Sequence, residues 1–240
     1  MKRNVKWLDV LNTFVLISLI IAIIAVSVVL VLAPSTPDAT LPFKRLKSDY
    51  VLMLLQCIVG VFAMLLPKFL NEKVNLKVPS TMMLLYTIFL YCSIYLGEVR
   101  SFYYNVPNWD TILHTFSGGM LGALGFSLIT ILNRTEKVPV NLSPIFVAVF
   151  SFCFALSLGT VWEFYEFTAD GILGTNMQKF AFENGEPMLG RMALTDTMKD
   201  LIVDAIGALF ISMVGYVSLK YKKGWVEKLL LKKESNKVNS

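Results

Sequence analysis

Six long apolar blocks constrain the fold of this chain more than any other feature. A membrane-spanning helix needs about 20 consecutive, mostly apolar residues, and inside a bilayer every backbone polar group must be satisfied within the protein. The blocks run from Val10 to Leu32, Tyr50 to Leu66, Thr81 to Leu96, Thr111 to Leu132, Pro144 to Val161 and Leu201 to Leu219. The second and third are short, so we expect each to extend by about one turn. The pattern predicts an all-α polytopic membrane bundle of about six transmembrane helices, with residues 1–240 forming one integral membrane domain.

The charge content supports the same class. Only 16% of the residues are charged, against about a quarter in a soluble domain, and 55% are hydrophobic. The net charge of +5 does not indicate a nucleic-acid surface, because the basic residues sit in short loops and at the chain ends. Membrane lipids are therefore the expected partners and nucleic acid is not, while protein partners stay unknown.

The distribution of Lys and Arg predicts the orientation. With six spans, the side that holds both termini carries 15 of the 22 basic residues and the other side carries 7. The side richer in Lys and Arg faces the cytoplasm, so both termini are expected there. Residues 221–240 then form a basic cytoplasmic tail that would lie against anionic headgroups. A plain stop-transfer tail is the alternative.

Ionisable residues gather at the predicted outer ends of four blocks. Asp196, Asp200 and Asp204 are four residues apart and fan over roughly 80° of one helix face. Only 15 residues follow Asp204 before Lys220, about 22 Å of helix against a hydrocarbon core of ~30 Å. Asp204 must therefore lie below the interface. The same outer level is expected to hold the only histidine and further carboxylates: Glu98, Asp110, His114, Glu163, Glu166 and Asp170.

Small residues suggest how these groups meet. Gly118 and Gly122 in the fourth block, and Gly207 in the sixth, would let two helices pack closely and bring His114 near the aspartate face. An aspartate facing lipid at mid-membrane costs about 2.5–3.5 kcal/mol, so the side chains should face the bundle interior. There they need a cation, a proton or water, which Arg100, Lys199, His114, a metal ion or protonated partners could supply.

Single residues also allow simpler interpretations. Asp196 follows Thr195 at an expected helix start, where N-capping would explain it. Glu163 and Glu166 would fit a solvated helix end. His114 would fit a structural role in which Asp110 orients its ring.

Three stretches carry a family resemblance. They are WDTILHTFSGG with Asp110 and His114, WEFYE with Glu163 and Glu166, and DTMKDLIVDAIGA with Asp196, Asp200 and Asp204. In this order they resemble the YjdF-type family of bacterial inner-membrane proteins, and more loosely the chain is similar to the VanZ-like group. The resemblance implies a multi-pass protein of the cell inner membrane and envelope, and supplies no reaction.

Three hypotheses follow. The first is an acidic, metal-binding pocket near the extracytoplasmic side that acts on a lipid or lipid-linked substrate. Asp110, His114, Glu166 and Asp204 would be its ligands to a divalent cation, Glu163 and Asp200 its catalytic residues, and residues 167–195 its lid. The second is a proton- or cation-coupled transporter, although no internal repeat is evident. The third is a non-catalytic envelope protein. No catalytic motif such as HExxH decides between enzyme and non-enzyme.

Overall fold

Six described helices are long and apolar enough to cross a membrane. The computed structural model describes residues 2–35, 45–133, 142–182 and 186–233. The helices are α1 Lys2–Leu32, α2 Lys47–Val74, α3 Ser80–Leu90, α4 Phe102–Asn105, α5 Trp109–Asn133, α6 Pro144–Leu173 and α7 Arg191–Lys220. The short α4 lies outside the membrane spans. The all-α polytopic membrane bundle predicted from the apolar blocks is confirmed, including the extension of the second and third blocks.

The third span changes its winding before it ends. After Leu90 the α3 helix continues as a π-helical segment, Tyr91–Val99. The indole Nε1 of Trp109 donates a hydrogen bond to the backbone oxygen of Cys92 at 3.2 Å, so a residue of α5 anchors the wider turn. Single π turns inside helices often occur at functional sites, and this segment carries Glu98 near its C-terminal end.

Two helix ends differ from the sequence prediction. The fifth span continues through Leu173, where Gly174 ends it in the left-handed conformation (φ +65°), so Glu163 and Glu166 lie inside α6 and not at a solvated end. The sixth span begins at Arg191 after Gly190, so Asp196 lies in the second turn of α7 and the predicted N-cap role is wrong. The apolar count missed both extensions because they are rich in polar residues.

The spans form two groups. In the first, α1, α2 and α3 with its π segment bury a core around Leu19, Cys57 and Ile94. In the second, α5, α6 and α7 pack tightly on one another, and Phe126 lies at the centre of their core. Contacts between the two groups are sparse, which leaves room for a cavity between them.

The tail folds back onto the bundle as far as it is described. Val226 and Leu230 are buried in the α5–α6 core, and the backbone N–H of Leu231 donates to Ser127 Oγ at 3.0 Å. A two-residue strand β2, Lys232–Lys233, then pairs with β1, Leu76–Lys77, which follows α2. Val226, Leu230 and Leu231 are therefore buried against the bundle, whereas Glu227 and Lys228 are exposed, and the contact of the tail with headgroups stays a prediction. Residues 234–240 lie outside the described part.

Candidate functional site

The site begins with a close approach of α5 and α7. A Cβ atom on Gly118 would collide with the backbone oxygen of Asp204, and one on Gly207 would collide with the backbone oxygen of Thr115. Each helix therefore offers a glycine where the backbone of the other lies against it. This confirms the predicted packing, and it brings the polar faces of the two helices into contact.

At this contact, the His114 imidazole lies among three aspartates. Its Nδ1 is 3.4 Å from Asp204 Oδ2, while its Nε2 is 3.7 Å from Asp110 Oδ1 and 3.8 Å from Asp200 Oδ2. Asp200 and Asp204 are each only 2% exposed. Ser117 Oγ donates to the other oxygen of Asp204 at 3.0 Å. Asp204 thus holds one side of the imidazole and leaves Nε2 facing the other two carboxylates.

The α6 helix contributes two more buried carboxylates from the same face. Trp162 Nε1 donates to Glu166 Oε1 at 2.9 Å, whereas neither oxygen of Glu163 has a hydrogen-bond partner of ordinary geometry within the described residues. Glu163 is 3% exposed, and it interacts with the Gln178 side chain and, electrostatically, with His114 and Asp204. A buried carboxylate with so little hydrogen bonding is costly, so a further group is expected to meet it.

Lys179 is the cation that the sequence interpretation missed. Its Nζ contacts Asp110 and lies 3.6 Å from Asp196, whereas Arg100 and Lys199, the candidates named from sequence, are exposed. Burial alone would lower the pKa of Lys179, but Asp110 and Asp196 raise it above its ordinary value. The signal available in the sequence was that the loop before α7 carries this lysine.

The loop of residues 174–190, shorter than the predicted 167–195, is anchored where it leaves α6. Buried Asp170 accepts hydrogen bonds from Thr175 Oγ1 at 2.6 Å and from the backbone N–H groups of Met177 and Gln178 at 2.7 and 2.9 Å. Asp170 therefore has a positioning role, because its hydrogen bonds turn the chain so that Lys179 reaches Asp110.

The charges do not balance. We call the following side chains the acid–histidine cluster: Asp110, His114, Glu163, Glu166, Asp196, Asp200 and Asp204. If all six carboxylates were ionised, four negative charges would remain uncompensated even with His114 and Lys179 both charged. Buried charges persist only when they are paired, protonated or bound to a metal ion.

Three side chains of the cluster suit one metal ion. Asp110, His114 and Asp200 each offer a ligand atom, and these atoms lie within 4.8 Å of one another. Ligand distances of about 2.0–2.6 Å let two donors of one ion lie up to about 5 Å apart. Of the four predicted ligands, Asp110 and His114 belong to this set. Asp204 instead contacts the far nitrogen of His114, and Glu166 contacts Trp162, while Asp200 joins the set.

A cavity of about 440 Å³ opens beside the cluster. It lies between the two helix groups, and its polar end is formed by α4, α5, α7, the π segment and the loop that follows α6. Its wall is mostly apolar, and these residues line the polar end: Glu98, Tyr103, Asp110, His114, Lys179 and Asp204.

Comparison with known proteins assigns the chain to a family. A family model described as "Predicted membrane protein (DUF2238)" matches residues 14–221 of 240. The chain belongs to the DUF2238 family. The matched range contains the whole acid–histidine cluster and Lys179. The DUF2238 assignment fits the YjdF-type resemblance, whereas the VanZ-like resemblance stays a prediction.

One relative shares a modest part of its sequence with this DUF2238 member. An uncharacterized protein of Thermotoga maritima is 28% identical over 152 residues, which cover 62% of this chain and 69% of the relative. No solved structure matches the chain. The DUF2238 assignment therefore supports a multi-pass membrane protein, and the geometry of the cluster is the evidence for its chemistry.

Proposed function

We propose that this protein binds a divalent metal ion through Asp110, His114 and Asp200 and acts on a lipid or lipid-linked molecule at the extracytoplasmic side of the membrane. The observation that carries the proposal is the convergence of these three donors, whose ligand atoms lie within 4.8 Å of one another, in a cluster of six carboxylates of which four are buried. A divalent cation would offset two of the negative charges that these carboxylates carry when ionised.

The chain's own residues would divide the work. Asp204 would hold His114 through Nδ1, so that the unprotonated Nε2 faces the ion, the arrangement common around metal-bound histidines. When bound, the metal ion would lower the pKa of a coordinated water and polarise a substrate oxygen. Glu163, which is buried and interacts with the Gln178 side chain, would accept the proton. This keeps the predicted catalytic role of Glu163 and makes Asp200 a ligand.

Lys179 would set the strength of the site. Its Nζ contacts Asp110 and therefore competes with the ion for one ligand. Metal binding would require Lys179 to shift toward Asp196, 3.6 Å away, with which it can also form an ion pair. The site is therefore expected to bind divalent metal with moderate affinity.

The test is metal binding by the purified full chain. Titration calorimetry with Mn²⁺ or Zn²⁺ should give one site, and Asp200→Asn should weaken it by more than about 100-fold, beyond the 10–100-fold typical of an outer partner. Glu72→Gln, an acid-to-amide change at a 57%-exposed side chain on the tail side, is the matched control. Absence of binding by the unaltered chain would contradict the proposal.

Activity needs a second experiment. The lipid and cell-wall precursor profile of a deletion strain should change and be restored by the unaltered gene but not by Glu163→Gln. Restoration by Glu163→Gln would support the non-catalytic envelope role. Ion or solute flux through the protein in liposomes would support the transporter.

A further inference from the structure

The residues that line the cavity between the helix groups span a depth close to one leaflet of a bilayer. Asp110 lines its polar end and Leu121 its deep end, 11 residues apart on α5, or about 16 Å of helix. Half of a hydrocarbon core of ~30 Å is about 15 Å. On the facing side, lining residues of the π segment and α3 run from Glu98 to Tyr86. The charged side chains lie at one end, and the rest of the lining is mostly apolar, with Gln56 and Ser93 among its polar members.

The cavity also opens toward lipid. Val59 on α2 and Trp162 on α6 both line it, and they are 56% and 43% exposed on the surface of the bundle. Because both residues lie in membrane spans, a molecule entering between them comes from the bilayer and not from water.

The polar end is rich in hydrogen-bond acceptors. Its lining carboxylates are Glu98, Asp110, Glu166 and Asp204, and its lining basic side chains are His114 and Lys179. Both basic side chains already face aspartates, His114 at Asp204 and Lys179 at Asp110. A head group that donates hydrogen bonds or carries positive charge suits this end, and an anionic head group on its own would be repelled.

We propose that this cavity binds a single-chain amphiphile taken from the outer leaflet, with its hydrocarbon chain between the helix groups and a hydrogen-bond-donating head, an amine or a hydroxyl, at the acid–histidine cluster. The inference deepens the proposed function and rests on it for what happens at the head group. Binding of the hydrocarbon chain needs no metal ion, so the amphiphile site and the metal site are tested separately.

The experiment uses the full chain in lipid nanodiscs with EDTA present. The probe is an alkyl amine whose chain is as long as one leaflet and carries a photoreactive diazirine at its end. Saturable crosslinking is expected at the deep end of the cavity, to residues around Ala63, Tyr86 and Met120. Crosslinks that do not saturate, or that map to the lipid-facing surface of α1, would overturn the proposal.

Two variants narrow the passage at different depths. Val59→Trp fills the side opening and Met120→Trp fills the deep end, and each should weaken probe binding about tenfold, equivalent to ~1.4 kcal/mol. Phe62→Trp is the matched control, since Phe62 is 69% exposed on the same helix and does not line the cavity. Equal probe binding by the folded variants Val59→Trp, Met120→Trp and Phe62→Trp would contradict the binding of a hydrocarbon chain in this cavity.

Competition by alkyl molecules of the same length identifies the head. Without metal, the amine and the alcohol should displace the probe at least about tenfold better than the alkyl phosphate. Preference for the phosphate in EDTA would overturn the assignment of the head group. Saturable binding in EDTA together with no metal binding in the titration would leave the amphiphile site standing and remove the metal site.

Discussion

His114 on α5 and Asp204 on α7 meet across a helix interface, with Nδ1 of the imidazole 3.4 Å from Oδ2 of the carboxylate. The two residues are 90 positions apart in the chain, and they meet because Gly118 and Gly207 let the two backbones touch. The packing glycines and the polar site are therefore one structural unit, and changes to either should disturb the other.

Enlarging Gly118 should separate the helices. Gly118→Leu puts a side chain against the backbone of Asp204, which cannot move aside as a flexible side chain would, and overpacking of this kind costs about 1–3 kcal/mol or more. Thermal unfolding in detergent should show a clear fall in Tm, with loss of metal binding.

The matched control is Gly171→Leu on α6. A Cβ at Gly171 has no neighbour within 4 Å, and leucine favours helix over glycine by roughly 0.5–1 kcal/mol. Its Tm should stay the same or rise slightly. An equal loss of stability in both variants would show that the α5–α7 approach has no special role.

Asp204→Asn should weaken metal binding without abolishing it. The amide keeps the size of the side chain but lowers its ability to hold His114 through Nδ1, and losses of this type typically cost 10–100-fold in metal affinity. Calorimetric titration of Asp204→Asn and Asp200→Asn side by side shows which variant loses more metal affinity. A larger loss in Asp204→Asn than in Asp200→Asn would mean that Asp204 is itself a ligand.

Lys179→Met should have opposite effects on stability and metal affinity. The metal-free protein loses the one cation that contacts both Asp110 and Asp196 among the described residues, at a cost of about 1–3 kcal/mol, below that of a fully buried pair because the lysine side chain is 23% exposed. Divalent metal should bind more tightly, since Asp110 is released. Weaker metal binding in a folded variant would mean that Lys179 supports the site.

The contribution of Lys179 should also depend on pH in a defined direction. Asp110, Asp196 and Asp200 raise the folded-state pKa of Lys179 above the unfolded value of about 10.4, against the effect of burial. The stabilisation is therefore fully present below about pH 10 and is lost as the pH rises through the folded pKa. The Tm difference between the unaltered chain and Lys179→Met should stay constant from about pH 7 to 9. A difference that vanishes within that range would contradict the pairing.

The folded tail should contribute to stability. Leu230→Asp places a charge among Phe126, Ile129 and Val147, and an unpaired buried charge costs several kcal/mol. Lys228→Asp, at an exposed position two residues earlier, is the control and should leave Tm nearly unchanged. Equal Tm values for the two variants would show that the tail does not pack on the bundle in solution.

Hydropathy was sufficient to predict the six spans, because apolar length is a local property of the sequence. Hydropathy did not predict the C-terminal end of α6 or the N-terminal end of α7, where segments such as WEFYEFTAD are helical but contain polar residues. The spacing of Asp196, Asp200 and Asp204 with the glycines predicted that His114 would meet the aspartates. The partner Lys179 could not be predicted, because it reaches Asp110, 69 residues earlier, through a loop whose path depends on the hydrogen bonds of Asp170. Periodicity carries information about one helix face and none about a loop.

The most direct test is the position of a bound ion in crystals of the full chain grown with Mn²⁺. One anomalous-difference peak is expected within about 2.0–2.6 Å of His114 Nε2 and of carboxylate oxygens of Asp110 and Asp200. A map without a peak at these three side chains, at a Mn²⁺ concentration that saturates the protein in solution, would contradict the proposed metal site.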